Sequence, residues 1–172
     1  MRSMSWASSL AVLAFITCRP RQATSADGAI LGPEHAAAIE DSVRAFAQGV
    51  ALGVTAKGPA AWRAYFADEP AFFMASEGRL AFSNSDAARR AIEGLTHTIA
   101  HIELRWGAGL RVDPLAPGLA LLAAPYHETR VDAQRRQVEE DGFFTGLVEH
   151  RAEGWQFRDA HWSVVTLPAA VP

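Results

Sequence analysis

The stretch Gly154–Val165 constrains this chain more than any other. Strict alternation along it puts Trp155, Phe157, Asp159, His161 and Ser163 on one face and Gln156, Arg158, Ala160, Trp162 and Val164 on the other. Each face carries a large aromatic side chain, so neither is simply solvated. The pattern predicts an interior strand with one face covered by helix and the other by a second layer or a partner. On the first face Trp155 and Phe157 are followed by a carboxylate, an imidazole and a hydroxyl. An apolar wall that ends in convergent polar groups is what a small-molecule pocket requires. A buried strand whose polar groups are satisfied internally would read the same way.

The rest of the chain supplies what such a strand must join. Pro33 opens a helix where its missing N–H costs nothing, with Glu34 in the first turn. Ala36, Ile39, Val43, Phe46, Ala47 and Val50 form an apolar stripe at helical spacing, and Gly53 and Gly58-Pro59 bring the helix to its end. A shorter helix follows from Pro59, with Trp62, Tyr65 and Phe66 on one face. Ala71–Ala75 and Arg79–Phe82 read as a short hairpin around Glu77-Gly78. Asn84 or Ser85 caps a third helix with Ala88, Ala91, Ile92 and Leu95 as its stripe.

From Thr96 the period becomes alternating. Thr98, Ala100, Ile102, Leu104 and Trp106 are expected on one face, and His97, Ile99, His101, Glu103 and Arg105 on the other. Gly107 and Gly109 predict a bend before Leu110–Val112. Long strands over Leu119–Val131, Val138–Arg151 and Gly154–Val165 follow, joined by Asp132–Arg136 and by Glu153-Gly154. Helices early and strands late predict an α+β fold. Its strongly curved, mostly antiparallel sheet would wrap around the N-terminal helices and leave a cone-shaped cavity.

Composition sets the limits. The 172 residues, 49% hydrophobic and 20% charged, suit one globular domain, expected over 33–166 with a short tail at 167–172. Met1–Ala26 reads as a secretory signal: Arg2, an apolar run from Ala7 to Thr17 too short to span a bilayer, then the small residues Thr24-Ser25-Ala26. A disordered cytosolic extension is the other reading of that segment. Residues 27–32 would be a linker. Cys18, the only cysteine, ends the apolar run, and membrane attachment is expected only if Cys18 is lipidated. A secreted or periplasmic mature chain then has no cysteine, which excludes disulfides and thiolate catalysis. The net charge is −3 for the whole chain, and without Arg2, Arg19 and Arg21 it is −6, with 13 basic residues against 19 acidic. An acidic domain without a basic run is a poor partner for nucleic acid.

The order of elements, the segment Tyr65-Phe66-Ala67-Asp68-Glu69-Pro70 and the ending Gly154–Ser163 resemble the nuclear transport factor 2-like superfamily. Within it, the SnoaL-like domains and the association domain of calcium/calmodulin-dependent kinase are most similar. The resemblance covers roughly Pro33 to Val165. It implies a cone fold, homodimers or larger rings through the sheet, and a pocket put to very different uses. Ketosteroid isomerases and polyketide cyclases of the superfamily use a pocket carboxylate as base. Here that position falls near Met74, and a thioether cannot take up a proton at neutral pH. Scytalone dehydratase-like members use histidine and aspartate together, a pair that Asp159 and His161 could supply, with His161 as the more inward of the two.

Asp159 and His161 are roughly 6.5 Å apart along the strand, close enough for one small substrate to touch both. The imidazole would act as general acid or base and the aspartate would orient it. Tyr126 and Glu128 share a face of the neighbouring strand and could form a donor–acceptor pair, or lie at a solvated strand end. Thr145 could add a hydroxyl. With Trp62, Tyr65, Phe73, Trp155 and Phe157 they complete the expected ligand-binding set. His97 and His101, read as strand residues, are roughly 13 Å apart and cannot share a metal ion. No metal site, phosphate loop or nucleophile motif is evident, and no cofactor is expected. Two functions follow. One is a module that binds a small, partly apolar ligand and self-associates through its sheet. The other is a cofactor-independent lyase or isomerase, of dehydratase or cyclase type, that uses His161 with Asp159 or Glu128 assisting.

Overall fold

The computed structural model describes residues 31–165. The expected leader at 1–26, its Cys18, most of the linker at 27–32 and the tail at 167–172 lie outside the described residues. Helix α1 (Pro33–Lys57) starts on Pro33 and ends at Gly58, whose φ of 71° is the left-handed conformation that glycine adopts freely. It buries Val43, Ala47, Val50 and Val54, one stripe at helical spacing. A single 3₁₀ turn, Pro59–Ala61, leads into the one-turn helix α2 (Trp62–Tyr65). Strands β1 (Phe73–Ser76) and β2 (Arg79–Phe82) form the short hairpin. Helix α3 (Ser85–Thr98) is capped by Asn84, whose Oδ1 accepts the Ala87 N–H at 2.8 Å.

The second half is sheet: β3 (Ile99–Trp106), β4 (Arg111–Ala116), β5 (Leu119–Asp132), β6 (Gln137–Arg151) and β7 (Gly154–Val164). The seven strands are ordered β2-β1-β7-β6-β5-β3, with β4 also on β5. All pairs are antiparallel except β1 with β7, which is parallel. The sheet curls around α1 without closing, the α+β architecture expected from the order of elements. Trp106 donates its indole N–H to the Ala47 carbonyl at 2.6 Å, and the Leu104 N–H reaches Thr55 Oγ1 at 3.1 Å. Helix α1 is thereby tied to the concave side. Val43, Val50, Val54, Leu122, Phe144, Val148 and Phe157 are the large, fully buried side chains there.

Three features depart from the pattern read along the chain. Helix α3 runs to Thr98, so His97 belongs to its last turn, 3.6 Å from Glu93, and only His101 is on the strand. A helix that caps well and keeps its i,i+4 pairs outlasts the onset of alternation. A register shift between Ile99 and His101 then puts Ile99 on the same side as Ile102. The third departure matters most. β6 and β7 lose register between Leu147 and Val148: Val148 faces Phe157, while Leu147 faces Asp159. Arg158 is the extra residue of a β-bulge, and beyond it the alternation is inverted. Phe157, Ala160, Trp162 and Val164 therefore lie on the concave side, and His161 and Ser163 on the outer one.

Candidate functional site

Curling leaves a cavity of about 540 Å³ between α3, the β1–β2 hairpin and the inner face of the sheet. The 3₁₀ turn and α2 contribute Pro59, Trp62 and Phe66 to its wall; the hairpin contributes Met74, Ser76, Glu77 and Phe82. Ile92 and Leu95 of α3, with Ile99 and Ile102, form the opposite side, and Trp162 and Val164 reach it from β7. Trp62 stacks on Phe66 at 5.3 Å and meets the edge of Trp162 at 5.5 Å, so the aromatic wall is fixed by its own packing.

The polar groups are concentrated on β5 and β6. Glu128, 7% exposed, directly faces Glu140 across the two strands, both on the concave side. Arg130, two residues along β5, places its Nε 3.2 Å from Glu128 Oε1 and pairs through Nη2 with Glu140 Oε2. One guanidinium thus bridges two carboxylates that would otherwise repel each other. Burial pushes the Glu128 carboxyl above the ordinary carboxylate range, and Arg130 only partly counters it. Glu77, at the hairpin turn with φ 50°, holds the end of β7: its Oε1 accepts the Val164 N–H at 2.6 Å. Among the described residues no three His, Cys, Asp or Glu side chains are placed to hold a metal ion.

Of the residues expected at the site, Trp62 and Glu128 line the cavity. Tyr126 shares the concave face with Glu128, but it is buried against Trp162, ring to ring at 4.8 Å, and donates its hydroxyl to the Ser163 carbonyl at 3.3 Å. Burial, with Glu128 adding to it, pushes its phenol up to about 12. Phe157 is fully buried core behind the cavity. Tyr65 is turned to α1 and donates to the Gly49 carbonyl at 2.9 Å. Trp155 is at the far end of β7, bonded to Ser42 Oγ at 2.9 Å. Phe73, 43% exposed, and Thr145 are not among the cavity's lining residues.

His161 and Asp159 do not face the cavity, contrary to expectation. The bulge at Arg158 moves His161 to the outer face, opposite Thr145 of β6 and Ala75 of β1, where it is exposed. Asp159 pairs there with Leu147 and Phe73, and its carboxyl is held above the ordinary range by partial burial. Met74, near which the superfamily resemblance placed the isomerase base, lines the cavity. Sequence reasoning missed Arg130 and Glu140. The available signal was their parity: Arg130 is two residues from Glu128, on the same face of one strand.

No protein-family profile matches the chain, and no curated protein does. Solved structures do match. A nuclear transport factor 2-like superfamily protein from Salmonella enterica serovar Typhimurium superposes with a TM-score of 0.59 at 12% identity, over 78% of this chain and 93% of that one. A candidate scytalone dehydratase from Novosphingobium aromaticivorans gives 0.63 at 12% identity, over 73% and 83%. A candidate calcium/calmodulin-dependent protein kinase II association domain from Xanthomonas campestris gives 0.59 at 16% identity, over 73% and 87%. The chain has the nuclear transport factor 2-like fold. At these identities the likeness is one of fold, and function must be argued from the cavity.

Proposed function

We propose that this protein binds a small, partly apolar molecule in the cavity and self-associates through the outer face of its sheet. The observation that carries the proposal is the cavity itself: aromatic and aliphatic walls that converge on Glu128, Arg130 and Glu140. Phe143, Leu147, Leu121 and Ala123 share the outer face, away from the helices, and one structural neighbour is a candidate association domain. Export through a leader at 1–26 belongs to the same proposal. Native mass spectrometry of the protein purified from its own host tests both parts. A retained small molecule on a dimer or larger assembly is the expected result. A monomer at micromolar concentration would overturn the self-association part, and a chain that retains no small molecule in the native spectrum and takes none up on incubation would overturn the other.

A second reading is cofactor-independent lyase or isomerase chemistry. Its base would be Glu128 and not His161, because the Glu128 carboxyl contacts the cavity and burial raises its proton affinity, whereas His161 is on the outer face. Scytalone dehydratase-like and ketosteroid isomerase-like proteins among the structural neighbours favour testing it. Turnover lost in Glu128→Gln and kept in His161→Ala is the expected signature.

A further inference from the structure

The cavity's charge is unbalanced in one direction. Its lining holds three carboxylates, Glu77, Glu128 and Glu140, and among the described residues a single cation, Arg130. Arg130 is already shared by Glu128 and Glu140. Even with Glu128 protonated, two carboxylates face one guanidinium. The remaining wall is apolar and includes the rings of Trp62, Phe66, Phe82 and Trp162. Aromatic rings and excess carboxylate both favour a positive charge, and an apolar wall favours a hydrocarbon body around it. The aromatic and aliphatic lining around these carboxylates fits an organic cation, and no metal-ligand cluster is gathered among the described residues.

From this juxtaposition we infer that the cavity takes a lipophilic ammonium compound, its hydrocarbon part among Trp62, Trp162 and the α3 side chains and its nitrogen toward Glu128 and Glu140. An anionic ligand would leave Arg130 as its only partner and would face uncompensated carboxylates. A neutral ligand would gain a hydrogen bond from them but no charge pairing. This inference rests on the reading of the cavity as a ligand site.

Isothermal titration calorimetry of the full chain with three probes of one skeleton, phenylbutylammonium, phenylbutanol and phenylbutyrate, tests it. The ammonium is expected to bind about ten-fold tighter than the alcohol, and the carboxylate weakest. Added salt should weaken the ammonium alone. Glu140→Gln and Glu77→Gln should each reduce the ammonium-to-alcohol ratio while leaving the alcohol's affinity in place. Equal binding of alcohol and ammonium, or preference for the carboxylate, would overturn the inference and leave the apolar cavity intact as a ligand site. Binding of none of the three would overturn the inference, while a small molecule retained from the host would still uphold the cavity as a ligand site. If Glu140→Gln lowers stability, Glu77→Gln at the exposed hairpin turn gives the same comparison independently.

Discussion

Glu128 and Glu140 stand directly opposite each other on β5 and β6, on the inner side of the sheet, with Arg130 in contact with both. Like charges across a strand pair destabilise it, and more so where one of them is largely buried. The arrangement therefore depends on the guanidinium. Arg130→Met should cost about 2 kcal/mol, reduced from the value for a fully buried pair because Arg130 is partly exposed. Glu128→Gln in the same chain should recover much of that loss. Urea unfolding of the two single variants and the double variant gives the coupling; additive effects would show that the bridge is not what holds the carboxylates together.

The pH dependence of stability follows from the direction of the Glu128 shift. Burial holds this carboxyl above its ordinary value, with Arg130, Glu140, Glu77 and Tyr126 as the titratable groups near it. Between the ordinary and the raised value the native chain keeps a proton that the unfolded chain has lost. Stability must fall as pH rises through that window. Glu128→Gln removes this segment of the slope. Asp159 is shifted in the same sense by its own burial, so the comparison is made with Asp159→Asn in both backgrounds. Asp132, held low by the hydrogen bond from the Arg136 backbone and its neighbours, acts with the opposite sign, at acid pH. Denaturant midpoints across the carboxylate range that are parallel for Glu128→Gln and its parent would contradict the assignment.

Gly142 is required by close approach. A methyl group there would lie 2.0 Å from the Ser163 carbonyl and 2.5 Å from the Tyr126 ring. Backbone cannot yield as a flexible side chain can, so Gly142→Ala should destabilise the fold by about 3 kcal/mol. Gly94, on α3 with nothing within 4 Å of such a methyl, serves as the contrast. Gly94→Ala should stabilise by about 0.5–1 kcal/mol through helix propensity. Thermal melts of the two variants should move in opposite directions.

His161→Ala should leave the affinity of any cavity ligand within about two-fold, as for an exposed surface substitution. Trp162→Ala, one residue further on, should remove much of it by deleting part of the wall. If His161→Ala abolished binding while circular dichroism remained native, the inner and outer assignment of β7 would be wrong.

The elements of this fold are written locally, and so they could be read. Pro33 and Gly58 bracket α1, Asn84 caps α3, and alternating runs mark β5 and β6. The parallel pairing of β1 with β7 could not be read, because it depends on where the hairpin docks. The site was half legible. Trp62 and Glu128 were within reach because each shares a face with other candidates, whereas His161 was misplaced by a bulge at an arginine, which has no backbone signature of its own. A trace was nevertheless present: Phe157 and Trp162 are both large and have opposite parity. One strand turns both to the same face only if it gains a residue between them.

That extra residue makes β7 a strand of two halves, odd-numbered inside before it and even-numbered inside after it. Deleting Arg158 would straighten the strand and leave every side chain on its present face, because Phe157 and Asp159 would then alternate directly. Keeping Arg158 but pairing it in the ladder would turn the C-terminal half over, bringing His161 and Ser163 into the hollow and sending Trp162 and Val164 out. On this scaffold a single unpaired residue decides whether a guest meets indole or imidazole.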